Sequence, residues 1–181
     1  MAKTSKPECS GSFEKQLGRR PRGEYLTVAI CRIGRPVVIR TDPVADGCPF
    51  PTLYYLVCPS LVRGISQLEG TGGLATVRQM LAESPRLAAS VQAAHEEYAL
   101  ERRLIMRGRV GGLTGRGLQT VCLSGVGGVR NTRQISCLHA HAAHFLAGRS
   151  NPVGRHVTEA LRSGGRGRCS GEPGQLAPAA S

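Results

Sequence analysis

One change of pattern, at Pro59, constrains this chain more than any other feature. Before it, short runs rich in β-branched and aromatic residues alternate with turn signals. After it, apolar residues recur at helical spacing, and Pro59, Pro85 and Pro152 stand where a proline opens a helix. Strands therefore come first and helices later, which predicts an α+β fold: a small, mainly antiparallel three-stranded sheet packed with four to five helices.

The strand runs are Tyr25–Ile30, Pro36–Thr41 and Thr52–Val57, with a turn at Arg32–Arg35 and a Pro/Gly loop carrying Pro43, Asp46-Gly47, Pro49 and Pro51. Helices are expected over Ser60–Glu69 with Gly70 as stop, over Leu74–Glu83, and from the cap Ser84-Pro85 to about Arg107. In the long helix, Leu87, Val91, Ala94, Tyr98 and Ile105 form the core stripe; His95, Glu96, Glu97, Glu101 and Arg102 are expected to face water. Residues 108–134 are rich in Gly and Arg and read as loop, with a short strand around Leu118–Leu123. Two helices follow, Cys137–Ala147 with Ser136 as N-cap, and Asn151-Pro152 to about Arg162.

At 181 residues the chain is expected to form a single domain over 24–162, between a disordered basic arm at 1–23 and a disordered, low-complexity tail at 163–181. Only 4% of residues are aromatic and Trp is absent, so the core must rely on Leu, Val, Ile and Ala. The net charge of +12 favours an anionic partner, and an Arg-rich module for nucleic acid or a phosphorylated ligand is one functional reading. No aromatic/basic interleaving of the RNA-recognition type is present, so no stacking platform is legible. The longest apolar runs, such as Leu26–Cys31, are too short to span a bilayer. The N-terminal run Met1–Lys15 holds no apolar stretch of the signal-peptide kind, so no signal peptide is expected. The seven cysteines are odd in number, widely spread and without a CxxC pair, which fits reduced thiols in the cytoplasm.

Chemistry concentrates in Ser136–Phe145, which holds Cys137, His139, His141 and His144. On a helical wheel with Cys137 at zero, His141 falls at about 40°, His144 at about −20° and His139 at about 200°. Cys137, His141 and His144 thus make one stripe at the edge of the core, and His139 points elsewhere. A thiolate and an imidazole suit Zn²⁺ or an iron centre. Cys31 and Cys58 end predicted strands, so the expected metal set is Cys31, Cys58, Cys137 and His141, with His139 and His144 as further candidates and a structural role for the metal. A second reading of the same residues is a Cys/His hydrolase or transferase, with Cys137 activated at a helix N-terminus and His141 as base. Gly125–Arg130 can be read as an anion cradle with Arg130 and Arg133, although it lacks the P-loop pattern and fits a plain glycine turn better. His95-Glu96 does not continue into HExxH.

The runs Cys31–Arg40, Pro49–Pro59, Gly127-Gly-Val129, Cys137–His141 and Asn151–Gly154 together resemble the DUF501 family, a bacterial domain of unknown function found mainly in actinobacteria. The resemblance covers about Glu24 to Val157 and implies no substrate. It does imply that Cys31, Cys58, Cys137, His139 and His141 occupy motif positions, whereas Cys9, Cys48, Cys122 and Cys169 do not. Residues 108–124 look atypical for the family.

Overall fold

The sheet is built on β2, Pro36–Thr41, in which Val37, Val38 and Ile39 are all buried. β1, Tyr25–Ile30, pairs with it antiparallel through a tight turn in which Gly34 takes a positive φ of 74°. Among the described residues four further strands follow. β3 (Val44–Ala45) and β4 (Cys48–Pro49) pair antiparallel as a separate two-stranded sheet, and β5 (Tyr54–Leu56) pairs antiparallel on the other side of β2. This computed structural model describes residues 24–45, 48–106, 115–164 and 177–178. The expected arm 1–23 lies outside the described residues. Within the expected tail, Ala177–Pro178 forms a short strand, β6, along Ala29 and Ile30, so the sheet order is β5-β2-β1-β6.

Among the described residues six α-helices follow β5: α1 Pro59–Gly70, α2 Gly73–Glu83, α3 Pro85–Ile105, α4 Gly115–Leu123, α5 Leu138–Leu146 and α6 Pro152–Ser163. The expected prolines open α1, α3 and α6, and the expected caps act at two of them. Ser84 Oγ accepts the Leu87 N–H at 3.2 Å, and Asn151 Oδ1 accepts the Gly154 N–H at 2.8 Å.

α5 is the hub. Ala140, Ala143 and Leu146 pack toward the sheet against Ala29, Val38 and Tyr54. Leu138 and Ala142 pack away from it against Ile65, Val77, Val91, Val153 and Val157. Small residues let the neighbours approach closely: a Cβ built on Gly154 of α6 would lie 2.2 Å from the His141 carbonyl oxygen. α5 is therefore covered on nearly every face, and His141 and His144, expected at the core's edge, have no exposed surface.

Three expectations fail for physical reasons. Leu118–Leu123 is helical, not a strand, because tertiary contacts outweigh its β-type residues: Val121 packs on Met106, and the C-terminal carbonyls of α4 are capped by cations. Arg102 does not face water. It is fully buried and donates to the carbonyls of Pro51, Val121 and Ser124, and Arg103 caps Cys122 O at 3.0 Å. His95 is also buried, with Nδ1 accepting the Val126 N–H at 2.9 Å and Nε2 lying 3.1 Å from Gln134 O.

Candidate metal centre

The N-cap of α5 is Cys137, not Ser136, whose hydroxyl instead donates to Gly127 O at 3.0 Å. Cys137 has φ −153° and ψ 119°, an extended conformation, so its side chain does not follow the helical wheel. That conformation removes Cys137 from the His141/His144 stripe and turns it toward His139.

α1 supplies the other wall. Val62, Ser66 and Glu69 recur at i, i+4 and i+7 and so lie on one face of that helix. Along this face, His139 Nε2 lies 3.1 Å from Val62 O and 3.2 Å from Ser66 Oγ. His139 Nδ1 lies 3.3 Å from Glu69 Oε2. Glu69 Oε1 accepts the Leu138 N–H at 2.7 Å, which holds a carboxylate at the positive end of α5. The ligand atoms of Glu69, Cys137 and His139 all lie within 4.8 Å of one another. All three residues are partly exposed.

Electrostatics favour a charged thiol here. Burial alone would raise the Cys137 thiol, but hydrogen bonds from His139 and from the Ala140 N–H outweigh it and hold the group below its ordinary value. His139 is raised, first by its bond to Cys137, against burial and with help from the Val62 carbonyl and the Glu69 charge. The pair thus leans toward thiolate and imidazolium.

The predicted metal set is not gathered as expected. Cys31, Cys58 and Cys137 all border one apolar cluster, with Cys58 buried and the other two partly buried. Among the described residues, however, neither Cys31, Cys58 nor His141 joins Cys137 in a group of three ligand atoms within 4.8 Å. His141 turns to Asn151, with Nδ1 3.1 Å from Oδ1, and His144 Nδ1 lies 3.1 Å from the same residue's Nδ2. Desolvation first, and then the proximity of His95, pushes His141 down to about 4; desolvation first, and then the proximity of His141, Arg149 and His95, pushes His144 down to about 3. The imidazole partner of Cys137 is therefore His139, not His141.

Arg130 and Arg133 stand exposed on the loop before α5. The backbone beside them forms a turn instead of an open cradle. The N–H groups of Gly125, Val126 and Gly128 are taken by Val129 O, His95 Nδ1 and Gly125 O. A Cβ on Gly125 would lie 2.4 Å from His95 Nδ1, so this glycine is needed for the close approach of the histidine.

Glu69 is the residue that sequence reasoning missed. Its place on the Val62/Ser66 face was legible, but nothing local indicated that this face would meet the start of α5.

Fold and cluster together define an α+β protein with a Glu/Cys/His group where the end of α1 meets the start of α5. The chain belongs to the family described as a protein of unknown function (DUF501), whose model matches residues 27–159 and so includes every residue of that group. No curated protein and no solved structure matches it. Among the described residues, no helix is long and apolar enough to cross a membrane.

Proposed function

We propose that this chain binds one divalent transition metal, Zn²⁺ or Fe²⁺, through Glu69 Oε2, Cys137 Sγ and His139 Nδ1. The observation that carries this reading is that each donor already has a second contact holding it in place. The Val62 carbonyl takes the His139 Nε2–H, which leaves Nδ1, the nitrogen facing Glu69, to give up its proton and ligate. The Leu138 N–H holds Glu69 by its other oxygen. The Ala140 N–H supports the Cys137 thiolate. A thiolate with an imidazole is a borderline-soft donor set, which selects zinc or iron over calcium or magnesium. The metal would tie α1 to α5 and make this a metal-dependent accessory protein.

The test is anaerobic titration of metal-free protein with Co²⁺, read by thiolate-to-metal absorption. A one-to-one endpoint is expected. Cys137→Ser should abolish the band, and Glu69→Gln should weaken binding by about tenfold or more. A wild-type chain that gives no band sinks the proposal.

The lowered Cys137 thiol and raised His139 favour a second reading, a thiol nucleophile of a hydrolase or transferase with His139 as its general base. The two readings separate by alkylation: on the metal reading, Zn²⁺ protects Cys137 from iodoacetamide; on the nucleophile reading, it does not.

A further inference from the structure

α5 carries its two remaining histidines into a buried polar region. His141 and His144 have no exposed surface, and Asn151 between them is 2% exposed. The Gly154 N–H donates to Asn151 Oδ1, which fixes the end of the amide that is oxygen. That oxygen also faces His141 Nδ1, so Nδ1 carries the His141 proton and Nε2 is a bare lone pair. The Asn151 NH₂ donates to His144 Nδ1, so Nδ1 there is bare and Nε2 carries the proton. One amide therefore gives two neighbouring imidazoles opposite polarity.

Among the described residues, neither Nε2 has a hydrogen-bonding partner, nor does the buried Glu101 Oε2. His95 meets the His141 ring with centroids 5.3 Å apart, but both of its nitrogens are engaged, by Val126 and Gln134. The His144 ring meets those of Tyr98 at 5.1 Å and Tyr54 at 5.7 Å. Tyr54 leads on to Glu101, its hydroxyl donating to Oε1 at 2.7 Å, and Arg149 donates to both. A buried polar atom left without a partner destabilises the fold, so three in one region call for a ligand. A metal held by both imidazoles needs two lone pairs, and Asn151 leaves one. An anion would suit His144 Nε2–H but would meet the His141 lone pair and Glu101. The chemistry left is that of a molecule that both donates and accepts.

We propose that internal water is held at these atoms, donating to His141 Nε2 and accepting from His144 Nε2–H, with Asn151 setting that polarity. More than one water is required. His141 Nε2, His144 Nε2 and Glu101 Oε2 do not form a group within 4.8 Å. A single tetrahedral water bonded at about 2.8 Å spans only about 4.6 Å between partners.

The test pairs a high-resolution crystal structure of the full chain with long-range ¹⁵N spectra of its histidines. The expected result is ordered water within about 3.2 Å of each Nε2, with His141 as the Nδ1–H tautomer and His144 as the Nε2–H tautomer. Asn151→Asp keeps an oxygen cap for α6 but presents acceptors to both rings, so His144 should switch to the pattern of His141. Identical tautomers in the wild type, dry density at both atoms, or a metal between them would overturn the proposal. The wild-type spectra and density decide it even where the variant does not fold.

Discussion

At the scale of single residues, α5 separates two kinds of histidine. His139 lies at a partly exposed junction with Cys137 and Glu69, whereas His141 and His144 are buried structural groups. The two kinds should respond oppositely to substitution. His139→Ala is expected to lose metal affinity with little loss of stability in the metal-free protein. His141→Ala should keep the affinity while costing about 2–5 kcal/mol by urea unfolding, since it empties a buried site and strands Asn151. Equal losses from both changes would contradict the division. Gly154→Ala should also cost about 2 kcal/mol or more in the same assay, because its methyl group meets backbone, which does not yield easily. The sequence brought out Cys137 and kept His139 in view through its family motif. It misassigned the partner because an N-cap residue leaves the helical wheel, a conformational fact that spacing alone does not carry.

At the scale of elements, the three main strands β1, β2 and β5, the proline-opened helices and two of the caps were legible because local chemistry decides them. α4 was not, since its support is remote. Its C-terminal end is held by Arg102, which spends its charge on the carbonyls of three backbone positions. A guanidinium buried in this way should resist replacement. Arg102→Met is expected to lower stability by about 3 kcal/mol, and α4 amides should lose hydrogen-exchange protection before those of α5. Arg102→Lys should not rescue it, because one ammonium cannot match the planar fork. Unchanged protection in α4 would show that its other packing suffices.

At the scale of the whole molecule, the buried histidines tie stability to pH. His141 and His144 titrate at about 4 and about 3 when folded, against an ordinary value of 6.5. The unfolded chain therefore binds protons that the folded chain refuses. Their contribution is complete above pH 6.5 and is lost as pH falls through 6.5 toward 3, at roughly 3 kcal/mol for His141 alone. His139 is raised and has the opposite sign: its contribution is present at low pH and lost as pH rises through its folded value. The urea midpoint should fall on acidification below pH 6.5, with a shallower slope in His141→Gln. An equal slope in that variant would remove His141 from the account.

The central claim, that Glu69, Cys137 and His139 hold a metal, is tested most directly by elemental analysis of anaerobically purified full-length chain beside its Cys137→Ser and His139→Ala variants. The account predicts close to one zinc or iron per wild-type chain and little in either variant. A wild-type chain that is metal-free and takes up none on incubation would contradict it, as would variants that retain the full complement.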